Sequence, residues 1–238
     1  MRATLAARWA VVAALVALLV TPQGALAAPH GSASTSIWTV VPSPDTGGGD
    51  DPVAVAATSS TDAWLVGDRF DLSTNHYLTL IEHWNGTAWS VVPSPSPRSG
   101  NWLYGVAAIS HNDVWAVGQA QNPSYGSHTL SLHWDGTTWS DIPTPSPGVS
   151  ASLLGVSAST SNRVWAVGGY GTDKGYVLAE RWDGSMWNVA TGDSPGTVTN
   201  ALVGVSATQK TAWAAGITTD GGAPHTIAEH VCPAVAWP

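Results

Sequence analysis

Cysteine is all but missing from this chain of 238 residues, with Cys232 the sole example. One thiol cannot form an internal bridge, so a disulfide-stapled fold is excluded and stability has to come from burial. Cys232 permits only a bridge to a second copy, and the oligomeric state is not fixed by the sequence. Basic residues are nearly as scarce: Lys and Arg number 8 against 16 Asp and Glu, for a formal charge of −8. An acidic, Lys-poor surface argues against nucleic acid and anionic membranes as partners. No H-E-x-x-H and no Cys/His nucleophile arrangement occurs. No catalytic residue, metal set or cofactor is therefore assigned. Helical periodicity is also lacking beyond the first residues, which removes helical bundles from consideration.

The one long apolar run sits at the start of the chain. Arg2 and Arg8 give a basic beginning, Trp9 to Val20 an apolar stretch, and Ala25-Leu26-Ala27 a small-x-small cleavage signal. Thr21-Pro22-Gln23-Gly24 interrupts the run short of the ~20 apolar residues that a membrane span needs. The expectation is a signal peptide over 1–27 and a secreted, extracellular protein with no membrane contact after cleavage. Removing Arg2 and Arg8 with it moves the formal charge from −8 to −10. A flexible linker over 28–36 then leads into a domain over 37–238.

Tryptophan is what the chain has in abundance, with 14 copies. "HWNGTAW" (His83 to Trp89) returns as "HWDGTTW" (His133 to Trp139) and "RWDGSMW" (Arg181 to Trp187). An Asn-Gly or Asp-Gly centre between β-favouring residues predicts a two-residue type I′ hairpin turn, with φ > 0 at both positions. Upstream, "DAWLVG", "DVWAVG", "RVWAVG" and "TAWAAG" align. They place Trp64, Trp115, Trp165 and Trp213 at intervals of 51, 50 and 48 residues. Each period holds four short strands: a small-residue strand A, the Trp-bearing strand B, an alternating strand C and a Trp-led strand D. Such four-stranded meanders repeated every ~50 residues predict an all-β fold, a β-propeller of four-stranded antiparallel blades.

The repeats run over approximately 53–95, 104–145, 153–191 and 202–230, and the last stops after strand C. "IWTVVPSP" (Ile37 to Pro44) matches "AWSVVPSP" (Ala88 to Pro95) at six of eight positions. It reads as an isolated strand D, over 37–42, that completes the fourth blade and closes the ring, with Trp38 in the place of Trp89. The alternative is a fragment of a larger propeller, since "VCPAVAWP" breaks the pattern. "VWAVGGYGTDKGYVLAERWDGSMWNVA" (Val164 to Ala190) resembles kelch-like repeats, with an apolar strand ending in Gly-Gly, a variable loop, and an aromatic and a Trp around a turn. It is similar to the galactose-oxidase-like central propellers of exported bacterial proteins. The departures are that only Gly168-Gly169 keeps the doublet and that the aromatic-to-Trp spacing is short. The resemblance implies the architecture and no activity.

Residues that recur in every blade are packing residues first, which covers most tryptophans and the series His83, His133 and His230. Glu82, Glu180 and Glu229 recur on strand C and so do not form an acid–base pair. What varies lies in the B–C and D–A connections, which share one face of a meander and are where binding groups concentrate. Candidate ligand contacts there are Trp102, Tyr104, Tyr125 and Tyr170 for stacking, and Arg69, Asp71, Asn75, His128, Asp173 and Lys174 for polar contacts. Trp102 is read either as a stacking platform or as a loop anchor. The function expected is a secreted, non-catalytic module that binds a polysaccharide or a protein partner. The rival is an extracellular glycan-processing enzyme with an axial site built from Asp68, Asp71, Asp173 and Asp220.

Overall fold

The computed structural model describes residues 37–122, 126–190 and 192–231. The segments expected to be signal peptide and linker, with Tyr125 and Cys232, lie outside them. Among the described residues the secondary structure is all strand, fifteen in number, and no helix is long and apolar enough to cross a membrane. The first blade comprises β1 (Asp50–Ser59), β2 (Asp62–Asp71), β3 (His76–Trp84) and β4 (Trp89–Val91). The second comprises β5 (Gly100–Ser110), β6 (Asp113–Asn122), β7 (Gly126–Trp134) and β8 (Trp139–Asp141). The third comprises β9 (Ser152–Thr160), β10 (Arg163–Tyr170), β11 (Tyr176–Trp182) and β12 (Trp187–Ala190). The fourth has three strands, β13 (Thr199–Ala207), β14 (Ala212–Thr219) and β15 (His225–His230).

Every blade is an antiparallel meander, as the period-two patterning of strand C requires. The first two blades are joined into one sheet by a single parallel bridge, Tyr77 to Gly100. Successive A strands lie against one another, β1 with β5, β5 with β9 and β9 with β13. The blades therefore stack in a propeller-like series. β1 and β13 make no comparable contact, and no strand forms over 37–49. Ile37, Trp38 and Val40 are exposed. The strand expected over 37–42 is thus not formed. β-favouring residues make a strand only where a partner supplies the other half of the ladder.

Between blades the cores are built from both sheets. Trp64, Val66 and Ile81 of the first blade pack with Leu103, Val114, Ala116, Leu130, Leu132 and Trp139 of the second. Trp115 and Val117 of the second do the same with Leu153, Val164, Ala166, Leu178 and Trp187 of the third. Alternation explains the division: Trp115 and Val117 leave β6 on one side, Val114 and Ala116 on the other. The third joint is smaller, with only Val167, Val177 and Leu202 fully buried.

One glycine recurs for a steric reason. A β-bulge skips one residue in each A strand, between Leu103 and Gly105 in β5 for example, and presses its backbone onto strand B. A Cβ on Gly118 would lie 1.9 Å from the Trp102 carbonyl oxygen, and the equivalent Gly67, Gly168 and Gly216 are as tightly covered. Only glycine fits there, which accounts for the last residue of every "WxxG".

The hairpin turn differs from the expected type I′. Trp84 pairs with Trp89, so the connection has four residues, and only Gly86 has positive φ (91°). Gly136 and Gly184 repeat this at 94° and 103°. The reason is local competition from the preceding side chain. Asn85 Oδ1 accepts hydrogen bonds from the Thr87 amide (3.0 Å), the Thr87 hydroxyl (2.7 Å) and the Ala88 amide (3.0 Å). Such an Asx turn holds its first residue at negative φ. The Thr or Ser after each glycine is part of the same device.

Candidate functional site

On the turn face, where A–B and C–D hairpins lie, the strand-C tryptophans and the repeated Asp–His pairs are hydrogen-bonded within the framework. The strand-C tryptophans Trp84, Trp134 and Trp182 donate their indole N–H to the carbonyls of Ser60, His111 and Ser161, at 3.1–3.2 Å, fastening strand C to the A–B turn of its own blade. The strand-B tryptophans reach the next blade. Trp64 meets Trp139 edge-on (5.4 Å, 80°) and Trp115 meets Trp187 likewise (5.3 Å, 88°). His83 and His133 lie over Trp64 and Trp115 at 4.4 and 4.3 Å and bond Asp62 and Asp113 at 2.7 and 2.9 Å. The histidines before the tryptophans are hydrogen-bonded strand residues, as their recurrence suggests.

The three strand-C glutamates meet three different fates. Glu82 accepts from the Ser43 hydroxyl at 2.7 Å, and Glu229 from the Asp193 amide at 2.9 Å. Glu180 is wholly buried, and neither of its oxygens meets a hydrogen-bond partner among the described residues. Burial pushes its carboxyl up to about 8. In the second blade this position is Leu132, an apolar residue in the same kind of joint.

The opposite face carries the B–C and D–A loops, tied together by repeated asparagines. Buried Asn101 donates to the carbonyls of Tyr77 (2.9 Å) and Arg98 (2.7 Å), and Asn200 to those of Gly175 (2.7 Å) and Gly196 (2.9 Å). These staples give the loops a fixed base. On it the expected ligand residues fall into two groups.

Over the first blades, Trp102 is buried, its ring 5.4 Å from Tyr77 and across Gly100, and Tyr77 in turn meets Phe70 at 5.1 Å. Trp102 is thus an anchor beneath the loops and not an exposed platform. A ring at a loop base finds apolar neighbours before it finds solvent. Asp71 holds its own loop. The Ser73 hydroxyl and amide and the Thr74 hydroxyl all donate to it, pulling its carboxyl down to about 2. Asn75, in the left-handed region at φ 57°, closes that same turn with its amide on the Asp71 carbonyl (2.8 Å). Arg69 and Tyr104 are half-buried in their strands. His128 is half-buried beside the Ser146 hydroxyl, 3.3 Å away.

Over the third blade the groups do come together. Tyr170 and Tyr176 stack at 5.3 Å and 24°, and the Lys174 ammonium lies 5.2 Å from the Tyr176 ring centre. Asp173 is exposed in the same loop, and Tyr176 is 39% exposed. Val149 and Val198 present apolar surface on the connections either side. Tyr176 is the residue that sequence reasoning missed. It opens strand C, at the place of His128 and His225, and was absorbed into the repeat. The available signal was that an aromatic there occurs in one blade only.

Of the acids proposed for an axial enzyme site, Asp71 and Asp220 have structural partners. The Asp220 carboxylate accepts from the Thr197 amide at 2.7 Å. Asp68 is buried within β2.

No family model matches the chain, and no curated protein does. Among solved structures, YCF48 bound to a D1 peptide is similar at 17% identity over 68% of this chain, with a TM-score of 0.45. A fucose lectin from Kordia zhangzhouensis in complex with methyl-fucoside is 19% identical, over 58% of this chain and 96% of that one, at 0.40. A glycoside hydrolase is 9% identical over 84% of this chain and 75% of its own, at 0.43. The chain spans 47% of the YCF48 chain's length. Likenesses at this level assign neither a family nor a ligand.

Proposed function

We propose that this protein is an exported, non-catalytic binding module of kelch-like propeller blades that takes a carbohydrate on its loop face. The observation that carries this is the Tyr170–Tyr176 stack with Lys174 beside it. A flat, partly exposed ring, held from behind by a second ring, suits the apolar face of a sugar. Lys174 and Asp173 supply donors and acceptors for hydroxyl groups at its margin. The supporting contrast is that the repeated polar residues of the turn face bond to one another, whereas this group faces solvent on loops with a fixed base.

The test is retention of the purified full chain on a panel of immobilised polysaccharides, with Tyr176→Ala alongside and circular dichroism on both. The expected result is retention by the parent and a loss of about tenfold or more in a folded variant, about 1.4 kcal/mol. Equal retention by both would remove Tyr176 from the site. A folded parent that no polysaccharide retains would move the reading to a protein ligand on the same face.

A further inference from the structure

Among the described residues, the joint between the first two blades contains a group that no other joint has. Asp62 Oδ1 is met at 2.7 Å by His83 Nε2 and at 2.9 Å by His111 Nδ1. The three ligand atoms all lie within 4.8 Å of one another. Asp62 opens β2, His83 lies on the neighbouring β3 across from Trp64, and His111 comes from the A–B turn of the next blade, so the group spans the joint.

The repeat supplies an internal comparison. One joint further on, Asp113 and His133 make the same pair at 2.9 Å, but the turn that follows offers Ser161 in the place of His111. The third blade has Arg163 and Arg181 at the paired positions, and the fourth has Thr211 and His230. The Asp–His pair thus serves its packing role without a third member. A second imidazole aimed at the same carboxylate oxygen is an addition to the framework.

We infer that Asp62, His83 and His111 form a binding site for a divalent cation of the zinc type. Two imidazole nitrogens and one carboxylate oxygen are the borderline donors that zinc takes in three-ligand sites, with water in the fourth position. Zinc-to-ligand distances of about 2.0–2.2 Å set neighbouring ligand atoms a little over 3 Å apart. The two carboxylate-to-imidazole distances open by about half an ångström to reach that, and the metal takes the place of the two shared protons. The outer contacts are also those of a ligand set. The Thr58 hydroxyl donates to the other oxygen of Asp62, and the Trp64 ring lies 4.4 Å from that of His83 and fixes its plane. Access for the ion and its water is on the side of His111, whose side chain is 62% exposed while Asp62 is 9% exposed.

The experiment titrates the metal-free full chain with zinc by calorimetry, and with cobalt by visible absorbance. His111→Ser and His133→Gln are titrated beside it, and circular dichroism checks their folding. The expected result is one equivalent of zinc in the parent and in His133→Gln, at least tenfold weaker binding in His111→Ser, and tetrahedral cobalt bands only where zinc binds. No zinc uptake by the parent, or uptake unchanged in His111→Ser, would overturn the site. An equal loss in both variants would overturn it too, since the Asp113–His133 pair has no part in it.

Discussion

Trp115 and Trp213 hold the same place in their blades, yet one is 1% exposed and the other 56%. Each lies on its own histidine, His133 at 4.3 Å and His230 at 4.3 Å, so the blade around them is built alike. The difference is what stands in front. Trp115 is covered by Trp182 and Trp187 of the following blade, whereas among the described residues no such blade stands ahead of β14. The first blade shows the mirror case. Trp89 is half-exposed where Trp139 and Trp187 are buried, and Val55 is 66% exposed where its equivalents Val106 and Val156 pack into joints. A repeat residue's contribution thus belongs to the joint and not to the residue.

The largest test of that statement is truncation. Trp115→Ala removes a ring enclosed by two sheets and is expected to lower the unfolding free energy by about 3–5 kcal/mol. Trp213→Ala is expected to cost less than about 1 kcal/mol, as for an exposed side chain. Denaturant unfolding of both variants beside the parent decides it. Equal losses would mean that the two faces are covered alike in solution, and the comparison between inner joint and outer face would fall.

The next effect sets one inner joint against another. Glu180 and Leu132 are equivalent, but the carboxyl is buried, without a hydrogen-bond partner among the described residues, and lifted from the usual 4.5 to about 8. Between those values the unfolded chain has released this proton while the native protein holds it. The native state then binds more protons, so stability falls as pH rises from about 4.5 to about 8. The slope for one such group is about 1.4 kcal/mol per pH unit. Glu180→Leu restores the second blade's choice and removes that slope, for a gain on the order of 4–5 kcal/mol near pH 8. Near pH 4.5 the pH-dependent part of the gain vanishes. Glu229, also raised by burial, contributes to both proteins and cancels in the difference. Parallel pH profiles for parent and variant would sink the assignment of a neutral, buried Glu180.

The same dependence on neighbours marks what could be read from the sequence. The four-strand period, the strand order and the two-face division followed from Trp64, Trp115 and Trp165 and from turn residues, because those signals are local and repeated. The partial coverage of Trp213 did not, since its own sequence environment matches that of Trp115. Trp102 is legible as an aromatic in a varying connection, but its burial against Tyr77 is a tertiary contact with another strand. Tyr176 was hidden for the converse reason, sitting at a repeated position with a non-repeated side chain. His111 was missed because its partners, Asp62 and His83, lie in the preceding blade, and no spacing rule links a turn to a strand some 50 residues earlier.

The smallest effect concerns a feature that closes within one blade and so is blind to the difference between inner and outer. Asn85 in the first blade and Asp135 in the second each accept three hydrogen bonds in the same turn, at 2.7–3.0 Å. Those bonds hold the Asp135 carboxyl down at about 2, so it is ionised throughout the neutral range. A type I′ turn would welcome glycine at that first position, because both central residues then need positive φ. The observed turn loses its acceptor instead. Asn85→Gly is therefore expected to destabilise by about 1 kcal/mol, the usual worth of a side-chain cap on free amides, and Asp135→Gly to destabilise in the same direction. Chemical denaturation at neutral pH reads both. A neutral or stabilising result would return the hairpins to the type I′ geometry. A cost that differed strongly between the two would show that these turns, like the tryptophans, depend on the neighbouring blade.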